Sequence, residues 1–179
     1  MIEKPDVVDS KLAYDGWLKV RQDTLKIPGL KSEYNYDVVL IPSGVAILPF
    51  IDKETLLLQY QYRHPISEKI LELVQGGVDK GETSINAAKR ELFEETGYSC
   101  NLYYLNTIYL MPGSLDNRLD IFYADSLEKT SDAENNPLET CELVKMPYEQ
   151  VLQEVLSGKH KDSALVSAIL FYGAIQRKK

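Results

Sequence analysis

The chain has 179 residues, 44% of them hydrophobic, which suits one domain with an appendage and a core that needs no disulfide or metal as a staple. Its 27 acidic residues outnumber its 20 basic ones, for a formal charge of −7, a balance that repels a phosphate backbone and argues against nucleic-acid binding by charge. An anionic substrate would therefore need a cation to bridge it to this protein. The two cysteines, Cys100 and Cys141, form no CxxC pair, and we read both as reduced and structural. The N-terminus MIEKPDVVDS has neither a basic nor an apolar signal region, and no apolar run reaches the ~20 residues that span a bilayer. The expectation is a cytoplasmic protein that uses no membrane.

In chain order, period-2 patterns predict strands in WLKVRQDTL from Trp17, YDVVLI, GVAILPF and TLLLQYQYR, with turns at Pro28-Gly29, Pro42-Ser43-Gly44 and Asp52-Lys53. KILELVQGG reads as one further short strand closed by glycines. From Ser84 to Thr96 the period changes: Ile85, Ala88 and Leu92 form a helical stripe, with Thr83 or Ser84 as N-cap and Gly97 after the C-terminus. Strands return in NLYYLNTIYL and RLDIFYADS. A polar loop, TSDAENNPLET, precedes the short extended CELVKM. Pro147 at the first helical position starts a helix that Gly158 ends, and a second helix carrying Ala164, Ile169, Leu170 and Ala174 runs to the basic tail. One central helix between mixed strands, with two helices at the end, predicts an α/β sandwich with a mixed sheet; strands and helices do not alternate as a doubly wound fold requires.

The chemistry lies between Gly76 and Tyr98. Glu91, Glu94 and Glu95 are spaced i, i+3 and i+4, so three carboxylates share one sector of a helix surface. They sit in its last turns, where the macrodipole disfavours negative charge. Lys89 and Arg90 offset part of this. A hard divalent cation is the better partner, since Mg²⁺ takes carboxylate oxygens and keeps its remaining positions for water and phosphate. The preceding strand ends in Gly76-Gly77 and the turn holds Gly81, which lets backbone carbonyls approach such a cation.

This segment resembles the Nudix box, G-x5-E-x7-R-E-U-x-E-E-x-G-U with U bulky and apolar. Gly76, Glu82, Arg90, Glu91, Leu92, Glu94, Glu95, Gly97 and Tyr98 occupy its nine specified positions. The resemblance implies an α+β fold, a Nudix-type α/β/α sandwich with a mixed sheet and, here, added N-terminal antiparallel strands. It also implies Mg²⁺-dependent hydrolysis, Mn²⁺ being an alternative, of a nucleoside diphosphate linked to another group. Carried over by position, Glu91 and Glu95 are the main metal ligands, and Glu94 is a supporting ligand or proton acceptor. The backbone oxygen of Gln75 is a neutral ligand, Arg90 orients the glutamates, and Gly76, Glu82 and Gly97 shape the motif.

Outside the box the chain is similar to the ADP-ribose and nucleotide-sugar pyrophosphatase branch. Gln61-Tyr62-Arg63 matches its QYR segment, whose arginine, here Arg63, contacts substrate. Met111-Pro112-Gly113 matches a Pro-Gly loop near a substrate-binding acid; this chain has Asn117 where the branch often has Glu, with Asp116 and Asp120 as the nearby acids and Asp116 the candidate. Leu73-Val74-Gln75-Gly76 also departs from the branch's commoner Pro-Ala-Gly. Glu139, in an ExxE spacing with Glu142, matches the loop position of a metal ligand or general base. Residues 1–42 are expected to form a strand subdomain exchanged within a homodimer, and residues 43–179 the hydrolase domain. Trp17 and Tyr36, with Tyr34, are candidates for stacking a nucleobase, the alternative being core or dimer interface. The resemblance thus implies a pyrophosphatase that prefers ADP-ribose, giving AMP and ribose 5-phosphate. GDP-mannose, ADP-glucose or a broad nucleotide-sugar range is the alternative within the enzyme class, and a non-catalytic sensor of a nucleotide metabolite is the alternative outside it.

Overall fold

The structure, a computed structural model, describes residues 3–133 and 141–177. Two compact units divide the chain: residues up to Pro42 together with Tyr109–Arg118, and Ser43–Ile108 with the remainder from Leu119. The first unit is an antiparallel sheet of β1 (Asp6–Asp15), β2 (Lys19–Lys26) and β3 (Glu33–Leu40) in that order. β1 has no counterpart in the sequence reading. Its apolar residues, Val7, Val8, Leu12 and Tyr14, are all exposed; Ser10 interrupts the alternation of Val8, Leu12 and Tyr14, and the pairing with β2 shifts register between Val7 and Asp9 and between Leu12 and Tyr14. Trp17 lies in the bend between β1 and β2 and not in the strand predicted for it.

The second unit holds two sheets. A four-stranded mixed sheet has the order β7 (Val74–Gly77), β4 (Gly44–Pro49), β9 (Leu119–Lys129), β8 (Tyr98–Ile108). Here β4 and β9 are parallel, and the outer pairs are antiparallel. An antiparallel sheet has the order β10 (Cys141–Pro147), β5 (Thr55–Arg63), β6 (Glu68–Glu72). The helices are α1 (Ser84–Thr96), α2 (Tyr148–Leu156) and α3 (Ser163–Gln176). Among the described residues no helix is long and apolar enough to cross a membrane.

The apolar run on β4 reflects burial on both faces. Val45 and Ile47 join Val74, Phe122 and Ala124 beneath Ala87, Ala88 and Leu92 of α1. Ala46 and Leu48 face the other way, into a larger cluster with Leu56 and Leu58 of β5, Val151 and Val155 of α2, and Leu165 and Ile169 of α3. Each fully buried valine, leucine or isoleucine here contributes about 1.5–3 kcal/mol, and each alanine less. The expected sandwich is therefore present, with α1 on one face of the mixed sheet and the second sheet and α2–α3 on the other.

Several boundaries differ from the sequence reading. KILELVQGG is two strands, because the chain turns at fully buried Leu73 and passes from one sheet to the other; no glycine or proline marks that turn. Ile85 is 42% exposed, and the buried stripe of α1 is Ala87, Ala88, Leu92 and Thr96. Leu170 and Ala174 of α3 are exposed likewise, and Ala164, Leu165, Ala168 and Ile169 are buried. Pro147 is the N-cap of α2 and not its first residue: it pairs with Thr55 in β10 and keeps the extended ψ of 134° that a strand end requires. β8 stops at Ile108, so Tyr109 and Leu110 lie outside it. Cys100 and Cys141 are not joined to each other in a disulfide. Desolvation pushes the Cys100 thiol up to about 11.

Candidate active site

The site is built where β7 hands over to α1. Glu91 lies directly over Gly76: a Cβ added there would sit 2.0 Å from the Glu91 carboxyl carbon. Only glycine leaves that space open. The loop between them is fixed by Glu82, whose backbone N–H donates to Asp79 O at 3.0 Å, and whose carboxylate accepts from Asp79 N–H at 3.2 Å. Gly81 adopts φ +86°, and Thr83 caps α1 by accepting from Asn86 N–H at 3.4 Å. The helix ends at Gly97, φ +73°, where an added Cβ would meet the Ser131 carbonyl oxygen at 2.1 Å.

Arg90 is the hub of this assembly. Its Nε and Nη2 donate to the two oxygens of Glu82 at 3.2 and 3.0 Å, and Nη2 also reaches Gly77 O at 2.9 Å. Nη1 donates to Glu91 Oε1 at 2.8 Å and to Glu94 Oε2 at 3.2 Å. One guanidinium thus ties the end of β7, the loop and the acidic face of α1 together, a task for which a planar fork of donors suits and an ammonium does not. Glu82 holds the guanidinium well above its ordinary value, and the same contact pulls the Glu82 carboxyl below its own.

Glu95, one turn beyond Glu91, accepts through Oε2 from Gln59 Nε2 at 3.2 Å. Gln59 is fully buried on β5 opposite Glu72, itself 2% exposed. Glu72 receives hydrogen bonds from Arg63, at 2.9 and 3.1 Å from Nε and 2.7 Å from Nη2, and another from Gln75 Nε2 at 3.3 Å. The expected substrate arginine is therefore already engaged with a buried carboxylate. Nearby Asp162, the N-cap of α3, has its carboxyl raised by desolvation, with Glu72 adding to the effect. Gln59, Glu72 and Asp162 were missed by sequence reasoning. The signal for Gln59 and Glu72 was a polar residue inside a run of leucines, in TLLLQ and ILEL; Asp162, in KHKDSALV, carried no such signal.

Other predicted residues are placed as follows. Trp17, 94% exposed, Tyr36 and Asp116 belong to the first unit, where Tyr36 Oη donates to Gly113 O at 2.5 Å. Glu142, on β10, accepts from Lys69 Nζ at 2.5 Å. Glu139 lies outside the described residues.

Among the described residues, no three acidic, histidine or cysteine side chains are gathered to hold an ion as they stand, and Arg90 engages one oxygen of Glu91 and one of Glu94. The chemistry of the donor set nonetheless fits a hard divalent cation: it is all oxygen and carboxylate-rich, and it lies beside a glycine that admits close approach. Among the described residues a buried acceptor, Gln59 Oε1, has no partner, while Nε2 of the same amide donates to Glu95.

A mixed sheet flanked by helices, with an arginine-clamped acidic helix following a glycine strand, is the arrangement in which the box residues stand, and its match to known proteins identifies it as that of a hydrolase. The chain belongs to the Nudix family, whose domain model matches residues 40–166. It is 31% identical over 137 residues to an ADP-ribose pyrophosphatase of Bacillus subtilis (strain 168), an alignment covering 75% of this chain and 74% of that one. A methanol dehydrogenase activator of Bacillus methanolicus is 28% identical over 156 residues, covering 86% and 84% respectively. The crystal structure of an ADP compounds hydrolase superposes with a TM-score of 0.87 at 22% identity, over 99% of this chain and 97% of that one.

Proposed function

We propose that this protein hydrolyses the pyrophosphate bond of a nucleoside diphosphate sugar, with ADP-ribose preferred and AMP and ribose 5-phosphate as products. The observation that carries the reading is the Arg90 hub, which aligns Glu91 and Glu94 on one face of α1 beside the Gly76 gap. A relative named ADP-ribose pyrophosphatase supports the choice of substrate. Glu91 and Glu95 would hold Mg²⁺ or Mn²⁺, with Glu94 and the backbone oxygen of Gln75 in support. When bound, the cation polarises the pyrophosphate and makes water more acidic. The chain's own part is positioning. Arg90 keeps the carboxylates oriented, Gln59 holds Glu95, and Glu72 holds Arg63 in a fixed pose from which its charge faces substrate phosphate. Glu139 is assigned as the base that takes the proton from water. The protein acts as a cytoplasmic homodimer, joined through the exposed strands of its first unit.

The test is a panel of ADP-ribose, ADP-glucose, GDP-mannose, NADH and deoxynucleoside triphosphates with Mg²⁺, read as phosphate released after phosphatase treatment. ADP-ribose is expected to lead. Binding without turnover of any sugar nucleotide would overturn the proposal in favour of a sensor. Glu95→Gln is expected to lower kcat by about a hundredfold or more with the circular dichroism spectrum unchanged; unaltered turnover would remove Glu95 from the metal set.

A further inference from the structure

Gln59 is difficult to explain by packing. It follows three buried leucines, Leu56, Leu57 and Leu58, and is itself fully buried. A primary amide in such surroundings is costly unless both of its ends are paired. Its Nε2 donates to Leu73 O at 3.3 Å and to Glu95 Oε2 at 3.2 Å. Both partners are acceptors, so the amide has one orientation: exchanging its nitrogen and oxygen would set Oε1 against two oxygens. Oε1 therefore stays buried and unpaired among the described residues. A leucine or methionine in the same place would fill the volume and remove the unpaired oxygen, at the cost of the donor to Leu73 O and Glu95 Oε2.

We infer that Gln59 is a positioning residue for the divalent cation: Nε2 fixes the Glu95 carboxylate, and Oε1 is reserved for a water carried by that cation. The inference rests on the reading of Glu95 as a metal ligand. A hydrated divalent cation offers O–H donors and no acceptors, which is the complement of a lone buried carbonyl oxygen beside a ligand carboxylate. Residues that orient ligand carboxylates in this way typically change metal affinity by about 10–100-fold when replaced.

The experiment compares wild type with Gln59→Met, without substrate, by the electron paramagnetic resonance of free Mn²⁺ and by thermal melting of the cation-free protein. The expected result is a Kd for Mn²⁺ raised about tenfold or more, with Tm within a few degrees of wild type, because losing the unpaired Oε1 offsets losing the two Nε2 hydrogen bonds. A Kd within twofold of wild type overturns the inference, and so does a lowered Tm with Kd unchanged, the outcome of a merely structural role. If Gln59→Met fails to fold, Gln59→Leu is read in the same way. In the wild type, Mg²⁺ is expected to shift the Gln59 side-chain amide resonances, and unshifted resonances overturn the inference. Because affinity is read without substrate, a protein that binds Mn²⁺ but cleaves no nucleotide sugar overturns the proposed function alone. Full hydrolysis with unchanged affinity in Gln59→Met overturns this inference alone. No Mn²⁺ binding by the wild type overturns both.

Discussion

At Gly76, a hydrogen in place of a methyl group decides where Glu91 sits. The atom an added Cβ would strike is the far end of a flexible side chain, 2.0 Å away, so the chain yields by moving the carboxylate and not by unfolding. Gly76→Ala is expected to keep its melting temperature within a few degrees while kcat falls about a hundredfold, the scale of a misplacement of roughly 1 Å; melts and steady-state kinetics separate the two. The acidic face itself was legible from spacing alone, because i, i+3 and i+4 on a helix is a local relation. The Gln59, Glu72 and Arg63 network was not. It depends on the register that sets Gln59 opposite Glu72 and Arg63 opposite Glu68, and on the reach from β5 to α1, neither of which a local pattern encodes.

Between elements, the junction of α2 and α3 shows how a short linker is held. Glu154 accepts from Gln150 Nε2 at 3.0 Å, from Lys159 Nζ at 2.9 Å and from His160 Nε2 at 2.6 Å. The Gln150 contact first, then Lys159 and His160, pull its carboxyl from the ordinary 4.5 to about 2. A folded value below the unfolded one means stability that is fully present above pH 4.5 and is lost as pH falls through about 2. Wild type is therefore expected to melt above Glu154→Gln at pH 5, with the gap closing on acidification and absent below pH 2; thermal scans along a pH series read it. At this scale the helices were legible because caps such as Thr83, Gly97 and Gly158 mark their ends. The strands were less so: in β1 the alternation is broken by Ser10 and by two register shifts, and the passage from β6 to β7 is made by a leucine and not by a turn residue.

Across the whole molecule, the unevenness of exposed apolar surface is the clearest guide to assembly. The first unit exposes Val7, Val8, Leu12, Tyr14, Trp17 and Leu18, more than scattered single residues. A second copy of the chain is the occupant proposed for it. Light scattering of the purified protein is expected to give twice the chain mass, and to keep doing so in high salt, since apolar contacts are not screened. A monomer mass at micromolar concentration would leave that surface without its proposed role.

Leu73 joins the two sheets of the second unit with a single buried residue between Glu72 and Val74. A seam that short gives neither sheet slack to separate from the other. The amides of β6 and β7 should exchange with solvent through one common opening event, and Glu72 and Gly76, four residues apart on opposite sides of that seam, are gained or lost as one cooperative folding unit.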